Sequence, residues 1–442
     1  MTASVFDSPL YARLFPTAEA GRLFAHSAEI RAMLLVEGTL AKVQGEMGLI
    51  PQDSAFFIHR AAMEVQVDPA GLAEATGQNG VSVPALVAAF RAAMEAPAHA
   101  QYVHWGATSQ DIMDTGLMLR LRQLLALAED DLRAILRDLG QLASAHATLP
   151  MAARTWGQHA TVTSFGAQVA EWGAPLADLL EELEDLRARA LFVSLSGAAG
   201  TSGALGPRAA QVRVALAEGL NLRDPGRSWH TDRGPVLRIA DWLVRTGTAL
   251  GKLGEDLCAM GMSGIDEVRL EGGGASSTMP QKQNPVAPSA LVALARQGHG
   301  LQAILQSGAM QRHQRDGAAW MTEWLTLPQL CLGAASGLQI ARQIAPQIAP
   351  QEGAMRATVT GGQELIHAEA LSFALAAFLP RPEAQAEVKR LCREAGESGA
   401  ALSALVARDF PDLDREVLFD PARQMGLAPQ IAWSFADRAT DL

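Results

Sequence analysis

Apolar positions in this chain recur at helical rather than strand spacing, and the longest run begins at Asp111. In DIMDTGLMLRLRQLLALAEDDLRAILRDLGQLASAHATLP, residues Leu117, Leu121, Leu124, Leu125, Leu132, Ile135, Leu136, Leu139 and Leu142 keep that period over roughly thirty residues. A helix of that length exceeds about 45 Å. Comparable patterns cover 157–192, 234–265, 285–314 and 318–348, the last two apolar nearly all round. Residues 1–110 carry shorter patterns, such as SAEIRAMLLVEGTLAKVQGEMGLI, broken by Pro51, Pro69, Pro84 and Pro97, and short patterns return after Pro346 and Pro350. The expectation is an all-α chain of three helical domains: residues 1–110, a central long-helix bundle over 111–354, and 355–442. A helix without a polar face needs neighbours on every side. Five long helices from one chain make a thin bundle, so a homo-oligomer, in particular a homotetramer, is expected.

Composition sharpens this picture. At 442 residues the chain exceeds what one core usually supports, and aromatics at 5% favour stacked helices over sheet. The net charge of −11 and the absence of a Lys/Arg-rich block exclude the electrostatic footprint of a nucleic-acid binder. An acidic balance would repel anions at long range, but screening beyond roughly 8 Å leaves local cations free to bind them. Three cysteines without CxxC spacing suggest neither a disulfide framework nor a zinc site. No stretch has the apolar length of a membrane span, and the N-terminus lacks a signal-peptide pattern. A cytoplasmic protein with no membrane partner is expected.

Three polar or glycine-bearing stretches interrupt the helices. YVHWGATSQDIMDTG (102–116) has Gly106 for close backbone approach and Thr108 and Ser109 at the mouth of the long helix. Those hydroxyls suit capping, and the same free N–H groups and helix dipole suit a bound carboxylate. His104 reads equally as structural or catalytic. RTWGQHATVTSFG, just ahead of or within a helix, offers Arg154, which could fork onto a carboxylate or simply be exposed, with Trp156, Gln158 and His159. EGGGASSTMPQKQNPVA (271–287) combines three glycines, Ser276, Ser277 and Lys282. A serine hydroxyl exchanges protons at neutral pH only if a cation or several amides stabilise its anion. Lys282 brings that charge; a surface loop between helices is the alternative, but such loops rarely need this many specialised residues at once.

The third stretch resembles the signature loop of the fumarase/aspartase superfamily, and the first two resemble that superfamily's other conserved regions. Within it, VHWGATSQD, SSTMPQKQNPV, WHTDR at 229–233 and HQRDGAAWMTEWLTLPQL at 313–330 resemble the subgroup that closes lactone rings on substituted muconates. Adenylosuccinate-type C–N lyases share the first two in similar form, but carry a histidine acid where this chain has Trp156. The resemblance implies a twenty-helix core built from four subunits, active sites shared among three of them, a small polycarboxylate substrate, and chemistry with no metal and no organic cofactor.

It also implies roles. Ser276 would exchange the carbon-bound proton. Lys282 and Asn284 would hold the carboxylate that takes up developing charge. Thr108 and Ser109 would bind a second carboxylate, Gln158 a further polar group, and His104 would bind or polarise substrate. Arg315 would be an additional anion ligand, and Trp156 would lie against substrate. Three positions depart from the pattern: Ala275 replaces a glycine, Gln283 replaces an arginine common in the subgroup, and His159 is not usually histidine.

Overall fold

The computed structural model describes residues 4–270, 274, 275, 279 and 282–442. Helices dominate, as the periodicity requires. Those that position the site are α1 (His26–Glu46), α2 (Gln52–Glu64), α3 (Val83–Ala93), α4 (Ser109–Ala145), α5 (Phe165–Glu181), α6 (Gly234–Met260), α7 (Val286–Gly308) and α8 (Gly317–Ile344). At 37 residues, α4 is about 55 Å long. Its predicted stripe is inside: Leu121, Leu125, Leu132, Ile135, Leu136 and Leu139 are each fully buried. Each such side chain contributes about 1.5–3 kcal/mol relative to remaining exposed. From Thr326 to Ala341, α8 is buried at all but a few positions, so much of what its apolar run demands is met within the chain.

The chain resolves into two compact units. The first comprises Met1–Asp131, Leu179–Thr248 and Ala293–Gln339. Here α1 packs against α2 and against the Ala209–Leu220 helix, with Met33, Leu34, Val36, Leu40, Ile58 and Phe90 at 1% exposure or less. The second unit comprises Leu132–Asp178, Ala249–Val292 and Ile340–Leu442. Its C-terminal helices enclose a core of Leu371, Leu375, Leu391, Leu402 and Val406.

One element departs from the sequence reading. Residues 157–164 are not helical; they belong to an antiparallel hairpin of β1 (Pro150–Thr155) and β2 (Gln158–Ser164), with α5 starting only at Phe165. Thr155 pairs with Gln158, leaving Trp156 and Gly157 as a two-residue loop at φ +55° and +74°. Two consecutive positive-φ residues are the geometry of a type I′ turn, whose twist matches that of the strands. The β-branched Thr161, Val162 and Thr163 favour the extended form locally, and Ala152 and Val162 face a small core with Ala167, Val359, Met425 and Ala428. Short antiparallel ladders also join Val268–Leu270 to Ile348–Pro350 and Gly274–Ala275 to Gln283–Asn284. Among the described residues, no helix is long and apolar enough to cross a membrane.

Candidate active site

In the first unit the site is built on the mouth of α4. The chain reaches it through His104 and Gly106, both left-handed at φ +65° and +75°. A Cβ on Gly106 would come within 2.5 Å of Leu205 Cδ2, so both the conformation and the approach demand glycine. Buried Gln44 donates to the Trp105 carbonyl at 2.7 Å and fixes the bend. His104 Nδ1 lies 2.6 Å from Glu37 Oε1, a carboxylate only 2% exposed. Burial alone would lower the pKa of His104, but the hydrogen bond and charge of Glu37 outweigh it and the pKa is raised. The imidazolium form is thereby favoured.

The helix begins with Asp111 N–H donating to the Thr108 carbonyl at 3.0 Å, while Thr108 N–H donates back to Asp111 Oδ2 at 3.0 Å, a reciprocal cap. Asp111 does more than cap. Fully buried, it accepts from Ser194 Oγ at 3.0 Å, Ser196 N–H at 2.8 Å and Gly197 N–H at 2.9 Å, and from His230 Nε2 at 2.8 Å. Burial would raise its pKa; His230 and the two backbone donors outweigh that, and the carboxyl sits below the usual range. One carboxylate therefore anchors the helix mouth, the 194–197 segment and the WHTDR segment together.

Arg315 completes this cluster. Its Nε donates to Gln110 Oε1 at 2.8 Å and its Nη2 lies 3.5 Å from Thr108 Oγ1, while Gln110 is itself held by donating to the His230 carbonyl and to Asp114. Both Arg315 partners are neutral. Arg233 offers the contrast: fully buried, it forks onto Asp114 and Glu323, and those two charges overcome the cost of its burial and raise its pKa. Arg233 is satisfied internally, whereas Arg315 keeps an unmatched charge beside two hydroxyls and a helix N-terminus, which is a geometry for binding a carboxylate.

The second unit carries the other assigned positions. Arg154 forks onto the fully buried Glu267 at 2.7 and 2.8 Å; the carboxylate it seeks is the chain's own. Trp156 stands in the two-residue hairpin loop, completely exposed, and Gln158 opens β2 just after it. Lys282 is exposed and Asn284 half-buried, with Asn284 opposite Gly274 and Gln283 opposite Ala275 in the short ladder. Two of the three departing positions thus face one another. Ser276 lies outside the described residues.

Thus the first unit gathers His104, Thr108, Ser109 and Arg315, and the second holds Trp156, Gln158, Lys282 and Asn284. Sequence reasoning missed Asp111, His230 and Glu37. The first two stand inside motifs that had been singled out, TSQD and WHTDR, but their pairing across 119 positions leaves no local signal. Glu37 sits within the apolar run of α1, where a lone acid on a buried face is the one available clue.

Comparison with known proteins agrees with this architecture. A family model described as lyase matches residues 22–300. The chain is 37% identical over 432 residues to a 3-carboxy-cis,cis-muconate cycloisomerase of Pseudomonas aeruginosa, covering 95% of this chain and 94% of that one. It is 32% identical over 449 residues to a nitrosuccinate lyase of Streptomyces davaonensis, covering 97% and 94%. The crystal structure of the 3-carboxy-cis,cis-muconate lactonizing enzyme from Pseudomonas putida matches at a TM-score of 0.91 and 33% identity, covering 98% of this chain and 99% of that one.

Proposed function

Since the chain belongs to the lyase family of the fumarase/aspartase superfamily, we propose that it is a cycloisomerase of aromatic catabolism converting 3-carboxy-cis,cis-muconate to 4-carboxymuconolactone. The observation that carries this reading is the near full-length similarity to cycloisomerases of that name. The unmatched cation at the mouth of α4 supplies what a tricarboxylate needs.

In this reaction a substrate carboxylate oxygen adds to a carbon–carbon double bond of the same molecule. The C–O bond forms, the π pair moves to the neighbouring carbon, and that carbon takes up one proton. The trianionic substrate becomes a dianionic lactone, so each turnover consumes a proton. Charge arising next to a carboxylate spreads into it as an aci-carboxylate, and groups that bind this dianionic form more tightly than the substrate lower the barrier.

Roles follow from charge and position. Arg315, Thr108 and Ser109 hold one carboxylate, and protonated His104, kept charged by Glu37, faces the same polyanion. Lys282 and Asn284 stabilise the aci-carboxylate, and Ser276 transfers the proton. Trp156, whose full exposure supports a role outside its own unit, and Gln158 beside it contact the substrate in a site completed by another copy of the chain. A homotetramer with shared sites provides that contact.

Loss of the conjugated-diene absorbance on mixing the purified protein with 3-carboxy-cis,cis-muconate tests the reading; unchanged absorbance overturns it. A second reading, elimination from a nitrogen-substituted succinate, is supported by the similarity to nitrosuccinate lyase. Release of fumarate from adenylosuccinate or nitrosuccinate without diene loss would establish it instead.

A further inference from the structure

We propose that a cavity in the first unit, distinct from the residues assigned to catalysis, is a binding site for an aromatic carboxylate. It has a volume of about 930 Å³ and is walled mainly by apolar groups, among them Phe24, Met33, Leu117, Trp320 and Trp324. Volumes of this order enclose small-molecule ligands. The two tryptophans stand edge to face with ring centroids 4.9 Å apart and offer a flat aromatic ligand both faces and edges.

What gives the cavity a chemical preference is Arg120. Its guanidinium lines the wall and the residue is 9% exposed, yet among the described residues it makes no hydrogen bond. Its Nε is buried without a partner. The nearest carboxylate is Glu29, with Nη2 and Oε1 3.7 Å apart, too far for a hydrogen bond. One further contact is the Phe24 ring, 5.8 Å from Cζ. A buried cation with unsatisfied donors is costly unless paired and hydrogen-bonded. Burial accordingly lowers the Arg120 pKa. A carboxylate would meet the fork with two oxygens.

The other acids at the cavity do not supply this. Asp114 and Glu323 are both committed to Arg233, and Asp68 accepts from the Ala70 N–H. Arg120 lies ten positions along α4 from Gln110, which is about 15 Å at helical rise. Arg120 therefore stands apart from the Arg315 cluster, although the cavity wall reaches back along α4 to Asp114, which accepts from Gln110.

The test is a titration of the full-length protein with benzoate, followed by quenching of tryptophan fluorescence and by calorimetry. Saturable binding is expected, with benzamide, the neutral isostere, binding more weakly. Arg120→Met should weaken benzoate about ten- to hundredfold, the range for losing a charge-assisted hydrogen-bonded contact, while leaving benzamide nearly unchanged. Leu117→Trp, which fills the cavity and leaves Arg120 in place, should abolish both. Lys282→Met should leave benzoate binding intact. No saturable benzoate signal, equal affinity in Arg120→Met, or loss of binding in Lys282→Met would each overturn the proposal. Should Arg120→Met fail to fold, the Leu117→Trp and benzamide comparisons decide on their own.

Discussion

Asp111→Asn isolates the anchor of the site, because it keeps the side chain's shape while removing its charge and one acceptor. The five bonds divide between two oxygens: Oδ1 takes Ser194, Ser196 and His230, and Oδ2 takes Thr108 and Gly197. With the new NH2 on the Oδ2 side, two backbone N–H groups face a donor. With it on the Oδ1 side, Ser194 can rotate and accept, and His230 can accept if its proton moves to the Nδ1 atom, which is buried without a partner. The Ser196 N–H is then stranded, and the proton moved to His230 Nδ1 finds no acceptor either. An orphaned backbone donor costs about 1–3 kcal/mol, and converting two remaining charge-assisted bonds to neutral ones costs about 1 kcal/mol each, so even the milder orientation loses about 3–5 kcal/mol. That is a large part of a domain's stability. Urea unfolding followed by tryptophan fluorescence, with unchanged slope as the check on mechanism, should show the midpoint fall accordingly, and kcat/KM should fall with it because the bond that anchors Thr108 is weakened from charge-assisted to neutral. Asp111 has a depressed pKa, so its contribution is present above the ordinary carboxylate range and lost as pH falls through its folded value; the variant should lack that part of acid unfolding. A loss below about 1 kcal/mol would refute the hub argument.

Ser276→Ala should lower turnover by about a thousandfold or more if the hydroxyl moves the proton, with assembly unchanged by size-exclusion chromatography; near-normal rates would remove Ser276 from the mechanism. Lys282→Met should depress kcat as well as raise KM, since charge stabilisation is needed most in the transition state, and a pure KM effect in steady-state kinetics would contradict that role. Arg315→Met should weaken substrate by about ten- to hundredfold through loss of a charge-assisted contact, checked by kcat/KM and by inhibition with an unreactive tricarboxylate. Glu37→Gln removes the charge that holds the His104 pKa up against burial, so the alkaline limb of kcat/KM should move to lower pH. The stability supplied by the His104–Glu37 pair is fully present below the ordinary histidine pKa and lost as pH rises through the raised one. In the variant that alkaline loss should disappear.

The long helices were legible because the chain itself carries their period: every leucine counted on in α4 lies on a buried or half-buried face. The β1–β2 hairpin was not. The glycine and polar groups of RTWGQHATVTS suggest a helix entrance, whereas the decisive feature is Trp156 at positive φ, unusual for a bulky residue. The alternating Thr161, Val162 and Thr163 were the available warning. The polar stretches found their elements correctly at the mouth of α4, but not their partners. Asp111 and His230, or Arg154 and Glu267, are separated by more than a hundred positions, and one sequence offers no way to pair them.

Partner identity also separates cations that look alike in sequence. A chain of net charge −11 that binds a trianion must keep a few positive groups unmatched while neutralising the rest. Arg233 and Arg154 face three carboxylates that are nearly or fully buried, Asp114 and Glu323 for the first and Glu267 for the second, and removing either arginine would leave buried carboxylate charge uncompensated at a cost of several kcal/mol. They cannot also serve a substrate without breaking the fold. Arg315 touches an amide oxygen and a hydroxyl, both of which orient a guanidinium without cancelling its charge. Binding capacity therefore resides in the arginine with the weaker partners, and strengthening those partners should weaken binding. Gln110→Glu places a carboxylate where Arg315 Nε now meets an amide and gives up the two bonds that the amide donates to Asp114 and the His230 carbonyl; in variant protein shown by urea titration to be folded, substrate affinity read from inhibition by an unreactive tricarboxylate should fall about as much as on losing Arg315 itself.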